Sequence, residues 1–242
     1  MTSKYHRPAK PRRRTSRRAY TAPRHGKRIG LALALGSVLF ACAPLMVERE
    51  GHRVFNPDYL PWLDHPRRDA WQQPEAVLDA LDISEGAIVA DVGAGGGYFA
   101  ERVAARVGPA GRVYATDVQD EMIEALERRV RERRLDNVRV VRAAFDDPTL
   151  PAACCDLVFF SHVYKEIDNR VDYMKRVARV LRPGARIAIL EFRPGAPGAG
   201  PPPGERLTPE TVSRELADAG FALVASHDFP RQYLLVFTRD HA

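Results

Sequence analysis

The sequence predicts an α/β fold, a doubly wound and mostly parallel sheet of seven strands whose last strand runs antiparallel. Three observations lead there. Short apolar runs alternate with helical patterns through most of the 242 residues. Val89-Ala-Asp-Val-Gly-Ala-Gly-Gly-Gly-Tyr-Phe-Ala100 joins a strand to a helix through a glycine loop. Phe221–Ser226 and Gln232–Thr238 form a closing pair of strands.

Taken in order, a first helix opens at Pro74, where Pro is tolerated, and carries apolar residues at helical spacing through Leu81. Gly86 follows, then strand one to Val92. The helix from Tyr98 to Arg106 sets Phe99, Val103 and Val107 on one face, and Gly108-Pro-Ala-Gly111 ends it. Arg112–Asp117 is strand two, followed by a helix to Arg134; Asn137–Ala143 is strand three and Asp156–Phe160 strand four. A helix over 171–181 closes at Arg182-Pro-Gly184, and Arg186–Glu191 is strand five. Thr208-Pro-Glu-Thr caps a last helix that stops at Gly220. Residues 193–206 hold five prolines and four glycines, so they form a loop at the carboxyl edge of the sheet, either a lid over a ligand or a plain surface loop.

Composition divides the chain. Residues 1–28 contain eleven Lys and Arg and no acid, leaving 26 basic against 31 acidic residues, a formal charge of −5, from residue 29 onward. The net +6 therefore belongs to the leader, and a nucleic-acid partner is not expected of the domain. Ile29 to Cys42 is free of charge and has the length of a signal-peptide apolar region. Its end, Leu39-Phe-Ala-Cys42, resembles the lipobox of bacterial lipoproteins, which implies cleavage before Cys42 and lipidation of its sulfur. An uncleaved anchor is the alternative; either way the basic flank stays in the cytoplasm and the domain faces outward, in the cell envelope. Thr15-Ser-Arg-Arg-Ala-Tyr20 resembles a twin-arginine signal, though a Sec-type leader suits its distance from the apolar run better, and a start at Met46 would make the protein cytoplasmic. The expected layout is a leader over 1–41, a connecting extension over 42–70 interrupted by Pro57, Pro61 and Pro66, and one domain over 71–242. Cys154 and Cys155 read as two small, partly buried residues, and no clustering of ligands indicates a metal.

The chemistry lies in the glycine loop. Glycines 93, 95 and 97 let the backbone turn and a ligand approach, but a dinucleotide G-x-G-x-x-G would need a glycine where Tyr98 stands. Asp117 ends strand two twenty residues after Gly97, placed to grip a ribose or to cap the helix that follows. Asp91 leading D-x-G-x-G-x-G resembles motif I of the class I S-adenosylmethionine-dependent methyltransferases. So do Arg68-Asp-Ala-Trp71-Gln72-Gln-Pro74, Asp147-Pro-Thr-Leu-Pro151, Val163-Tyr164, Gly200-Pro-Pro-Pro203 and Phe229-Pro-Arg-Gln232-Tyr233, over residues 71–242 and within a bacterial group with lipoprotein-like leaders. The resemblance implies a Rossmann-like fold and methyl transfer from S-adenosylmethionine to a small-molecule acceptor. It also implies cofactor contacts at Asp91, Gly93, Gly95, Gly97, Tyr98, Asp117, Val118, Ser161 and at Asp146 or Asp147. On the acceptor side, Tyr164, His162 and Glu166 are the candidates for catalysis, with His227 beyond them. The chain departs from the group at His162, where an acid is usual, and at Lys165, where a histidine is usual. The competing class is an exported cofactor-binding or interaction protein without catalysis, since the cofactor is made in the cytoplasm.

Overall fold

The computed structural model describes residues 44–198 and 200–239; the basic tract, the apolar run and Cys42 lie outside them. Two four-residue strands open the described chain, β1 (Met46–Arg49) and β2 (His52–Phe55), paired antiparallel around Glu50-Gly51. Short helices α1 (Leu60–Leu63) and α2 (Arg68–Gln72) follow. The extension wraps onto the domain, a course open to a connecting segment. It is a folded cover within the same compact unit as the sheet.

The main sheet contains β3 (Ile88–Val92), β4 (Arg112–Asp117), β5 (Val138–Arg142), β6 (Cys155–Ser161), β7 (Leu181–Phe192), β8 (Phe221–Asp228) and β9 (Gln232–Arg239). Their spatial order is β5-β4-β3-β6-β7-β9-β8, parallel except for β9, which runs antiparallel to both of its neighbours. Strand order reverses between β3 and β6, so a crevice opens at their carboxyl ends, where doubly wound sheets bind ligands. β7 begins earlier than the sequence predicts. Leu181 already pairs with Cys155, and residues 182–185 bulge out before Arg186 meets Leu157.

The period-two alternation of the central strands divides the core into two layers. Val89, Leu157, Phe159, Ala188 and Leu190 pack against α3 (Pro74–Leu81) and α4 (Tyr98–Val107). Val158, Phe160, Ile187 and Ile189 point the other way, to α6 (Arg170–Val177) and α7 (Pro209–Asp218). The helix α5 (Asp120–Arg133) adds Leu126 to the first layer. Burying each of these large side chains contributes about 1.5–3 kcal/mol, enough to hold the strand ends in fixed register. Cys154 and Cys155 are free thiols at the opposite end of β6, their Sγ atoms 3.0 Å apart.

Candidate active site

The crevice is a cavity of about 790 Å³, walled below by the ends of β3, β4 and β6 and above by the N-terminal cover and the proline-rich loop. Among its lining residues are Asp91, Gly93, Gly95, Tyr98, Asp117, Val118, Ser161, His162 and Glu166, all candidates from the sequence. The cover adds Leu45, Phe55, Trp62, Leu63, Arg68 and Trp71, which the sequence did not mark as site residues.

The floor is built by the glycine loop. Gly93 has φ +67°, and a Cβ there would stand 2.5 Å from Val163 Cγ2, so no side chain fits between the loop and the residue after His162. The Gly95 N–H donates to Asp117 Oδ2 at 3.0 Å and the Gln119 N–H to Asp117 Oδ1 at 3.0 Å. Asp117 is therefore a buried carboxylate at the cavity wall that holds the glycine loop and the turn into α5. Burial raises its pKa, against the lowering effect of these N–H donors. Asp91 is fully buried, with Oδ2 lacking a partner. Burial raises its pKa to about 7; the nearby Arg68 guanidinium opposes this and Asp117 adds to it. Arg68 donates to Leu63 O at 2.6 Å and Gln72 Oε1 at 3.2 Å, and its guanidinium lies 3.8 Å from the Tyr98 ring centroid. The Tyr98 hydroxyl donates to Asp69 at 2.5 Å, tying α2 to α4.

Five predicted site residues stand elsewhere. Gly97 starts α4 at φ +89° and faces Leu126 and Arg129, so it serves helix packing and does not line the cavity. Asp146 and Asp147 are drawn outward by ion pairs to Arg176 and Arg179, both at 2.5 Å, and the wall beside them is made by Ala143, Ala144 and Phe145. Tyr164 is fully buried and does not line the cavity. A short 3-10 turn folds it into the core, where its hydroxyl donates to Glu215 at 2.9 Å while Arg170 pairs with the same carboxylate. The acceptor-side role expected of Tyr164 is thereby corrected to a structural one. His227 lies on β8 and does not line the cavity either. Glu166 does line it, with its carboxylate held by Lys165.

His162 keeps its place at the cavity and gains a setting that the sequence did not reveal. Its backbone adopts φ +57°, and its ring stacks on Phe192 with centroids 4.0 Å apart, beside Trp71. Nε2 lies 3.0 Å from Gln72 Nε2 and 3.2 Å from Gln232 Oε1. Burial, with Arg68 nearby, pushes its pKa down to about 3, so the ring is neutral at any working pH. The proline-rich loop is fixed from beneath. Arg206, itself buried, donates to the carbonyls of Pro201, Arg193 and Ala196, setting Gly200–Pro202 into the cavity wall.

Among the described residues, the buried side-chain polar atoms without a partner are Asp91 Oδ2, Thr116 Oγ1, Ser161 Oγ and His162 Nδ1. All four belong to cavity-lining residues. Buried polar atoms are rarely left unpaired, and these four gather at the carboxyl ends of β3, β4 and β6. With Tyr98 at the third glycine position the loop lacks a pyrophosphate cradle, while the carboxylates on β3 and β4 suit an ammonium and a ribose. Fold and site together define a class I S-adenosylmethionine-dependent methyltransferase.

Residues 90–189 match a family model described as a methyltransferase domain. An S-adenosylmethionine-dependent methyltransferase of known structure from Aquifex aeolicus is 30% identical, covers 76% of this chain and 98% of its own, and superposes with a TM-score of 0.73. The chain belongs to the S-adenosylmethionine-dependent methyltransferases. A demethylmenaquinone methyltransferase from Geobacillus sp. (strain WCH70) is 25% identical over 150 residues, 60% of this chain and 63% of the relative. The nocamycin O-methyltransferase of Saccharothrix syringae is 35% identical over 130 residues, 54% of this chain and 44% of the relative. This chain thus spans about half the length of the curated relatives it matches.

Proposed function

We propose that the protein transfers a methyl group to a small, largely apolar acceptor bound between the glycine loop and the aromatic wall of Trp71 and Phe192. The observation that carries this reading is that, among the described residues, the unpartnered buried side-chain polar atoms all belong to residues lining one cavity whose other lining is mostly apolar. Asp91 would receive the ammonium of the cofactor's amino-acid end and Arg68 its carboxylate; Asp117 would accept from the ribose, and Val118 with Ala143–Phe145 would flank the adenine. S-adenosylmethionine supplies an electrophilic sulfonium methyl. The chain's own task is to align the acceptor with that methyl and exclude water, for which the cover and the proline-rich loop close the cavity from above. Titrating the full chain with S-adenosylmethionine and with NAD in a calorimeter tests this: micromolar binding of the first alone is expected, and binding of NAD alone would refute it. A mass-spectrometric screen for a gain of one CH₂ then finds the acceptor.

The leader supports a second part of the reading, that residues 1–41 are removed and Cys42 is lipidated, anchoring the domain to the outer face of a membrane. The described residues contain no helix long and apolar enough to cross one. Leu45, 41% exposed, and Trp62, 68% exposed, lie at the cavity three and twenty residues beyond this cysteine, apolar surface that suits a nearby bilayer. Intact-mass analysis of membrane-extracted protein should give a chain starting at a diacylated Cys42, and Cys42→Ala should release it. An uncleaved leader would refute lipidation.

A further inference from the structure

The hairpin of β1 and β2 is held against the part of the cavity wall formed by the ends of β4 and β5, and three contacts set it there. Arg49 of β1 pairs with Glu121 in the first turn of α5. Gln119, one residue beyond Val118, donates from Nε2 to the Phe55 carbonyl of β2 at 2.9 Å. The His52 ring stacks on Phe145 with centroids 3.8 Å apart and planes inclined by 10°. His52, Phe55, Val118, Gln119 and Phe145 all line the cavity.

The acids that follow β5 do not serve this wall. Asp146 and Asp147 are paired with Arg176 and Arg179 and do not line the cavity. An adenine beside Phe145 brings an amino group with hydrogens to donate, and leaving such a group unpaired in a partly closed slot is costly. His52 supplies an acceptor. Its Nδ1 lies 2.7 Å from Asp168 Oδ2, and a carboxylate only accepts, so Nδ1 carries the hydrogen and the neutral ring keeps its lone pair on Nε2. Nε2 has no hydrogen-bond partner among the described residues, and it is not one of their buried polar atoms; the side chain is 33% exposed where it lines the cavity. The carboxylate draws on the Nδ1 hydrogen and strengthens Nε2 as an acceptor, while Phe145 fixes the plane of the ring.

We propose that His52, oriented by Asp168, accepts a hydrogen bond from the 6-amino group of the cofactor's adenine and makes the site selective for an adenine over a hypoxanthine nucleoside. This rests on the placement of the adenine against Val118 and Ala143–Phe145. Hypoxanthine carries an oxygen where adenine carries the amino group, so its lone pair would face that of Nε2. The N-terminal cover thereby does more than close the cavity. It reads the base of the cofactor.

Calorimetry on the full chain at pH 8.5, with S-adenosylhomocysteine and its deaminated analogue S-inosylhomocysteine as probes, tests this. The wild-type protein should prefer the adenine compound. His52→Phe keeps a ring on Phe145 without a lone pair and should reduce that preference by about tenfold, the worth of one hydrogen bond, by weakening the adenine compound alone. His52→Gln restores an acceptor and should recover most of the preference. Equal weakening of both compounds in His52→Phe would mark the ring as packing only and overturn the proposal, as would an unchanged preference. Long-range ¹H–¹⁵N correlation on the labelled chain, with the His52 signals identified by their loss in His52→Phe, should show Nδ1 protonated and Nε2 bare, and S-adenosylhomocysteine should shift the Nε2 resonance. A ring protonated at Nε2, or an Nε2 resonance unmoved by the ligand, also overturns it. A wild-type protein that binds neither compound would instead remove the cofactor placement, and the proposal with it.

Discussion

Asp91 gives the cofactor site a pH dependence whose size follows from its burial. Its carboxyl titrates at about 7 in the free protein, because burial disfavours the charged form more than Arg68 restores it. An ammonium group can be held there only by the ionised acid. At pH 6 about one site in ten is ionised, so the dissociation constant for S-adenosylmethionine should be about tenfold weaker than its plateau, or about 1.4 kcal/mol. Below that, it should weaken tenfold for each further unit. Binding should release close to one proton at pH 6 and about half a proton at pH 7. Calorimetry in buffers of different ionisation enthalpy measures both quantities at once, and Asp91→Asn should bind weakly with neither effect. A dissociation constant that is flat between pH 6 and 8, with no proton release, would refute the assignment of Asp91 to the ammonium. The same shift sets the sign for stability. Between about pH 4 and 7 the folded protein holds a proton that the unfolded chain has lost, so the stability of the free protein should fall as pH rises through that window. Glu191, also buried and raised to about 7, adds to the fall, and bound cofactor should offset only the part due to Asp91.

Asp117→Ala should weaken S-adenosylmethionine binding by about 2–4 kcal/mol in calorimetry, since charge-assisted bonds to the ribose contribute about 1.5–3 kcal/mol each. A modest loss of melting temperature should accompany it, because the Gly95 and Gln119 N–H groups lose their acceptor. Gly93→Ala places a Cβ against Val163 and strains a residue at φ +67°, and by denaturant titration it should cost about 1–3 kcal/mol while weakening cofactor binding. Tyr164→Phe should lower unfolding free energy by about 1 kcal/mol through loss of the bond to Glu215, with turnover changed less than a fewfold. A large fall in turnover would return Tyr164 to the acceptor side.

The sheet was legible because its central strands are buried on both faces and read as continuous apolar runs, and because the glycine loop and Asp117 sit at spacings set by backbone geometry. Other features depended on contacts between distant residues. Position at the end of a strand does not settle where a side chain points: Asp146 and Asp147 follow β5 closely, yet Arg176 and Arg179 from α6 draw them away. Tyr164 follows β6 by three residues, and the Arg170–Glu215 pair that captures it joins residues 45 apart. The hairpin of β1 and β2 escaped notice because its strands are four residues long, although Glu50-Gly51, with both residues at positive φ, is a turn signal that could have revealed it. Arg68 and Gln72 stood out in the sequence only as part of a family resemblance. Their place at the site depends on α2, which sets Arg68 on the Tyr98 ring and Gln72 on His162.

The cover of the cavity is clasped to α5 by the exposed ion pair Arg49–Glu121 and to the proline-rich loop by Arg53–Glu205, with a hydrogen bond between His52 Nδ1 and Asp168 beside them. Each such pair contributes about 0.2–1 kcal/mol and is screened by salt. Together they bias the cover toward closure by a margin that ordinary ionic strength can erode. Exchange of spent cofactor for fresh would then be a salt-dependent rate, slow in dilute medium and faster in brine. An enzyme closed in this way would retain its bound methyl donor longest where the surroundings are least saline.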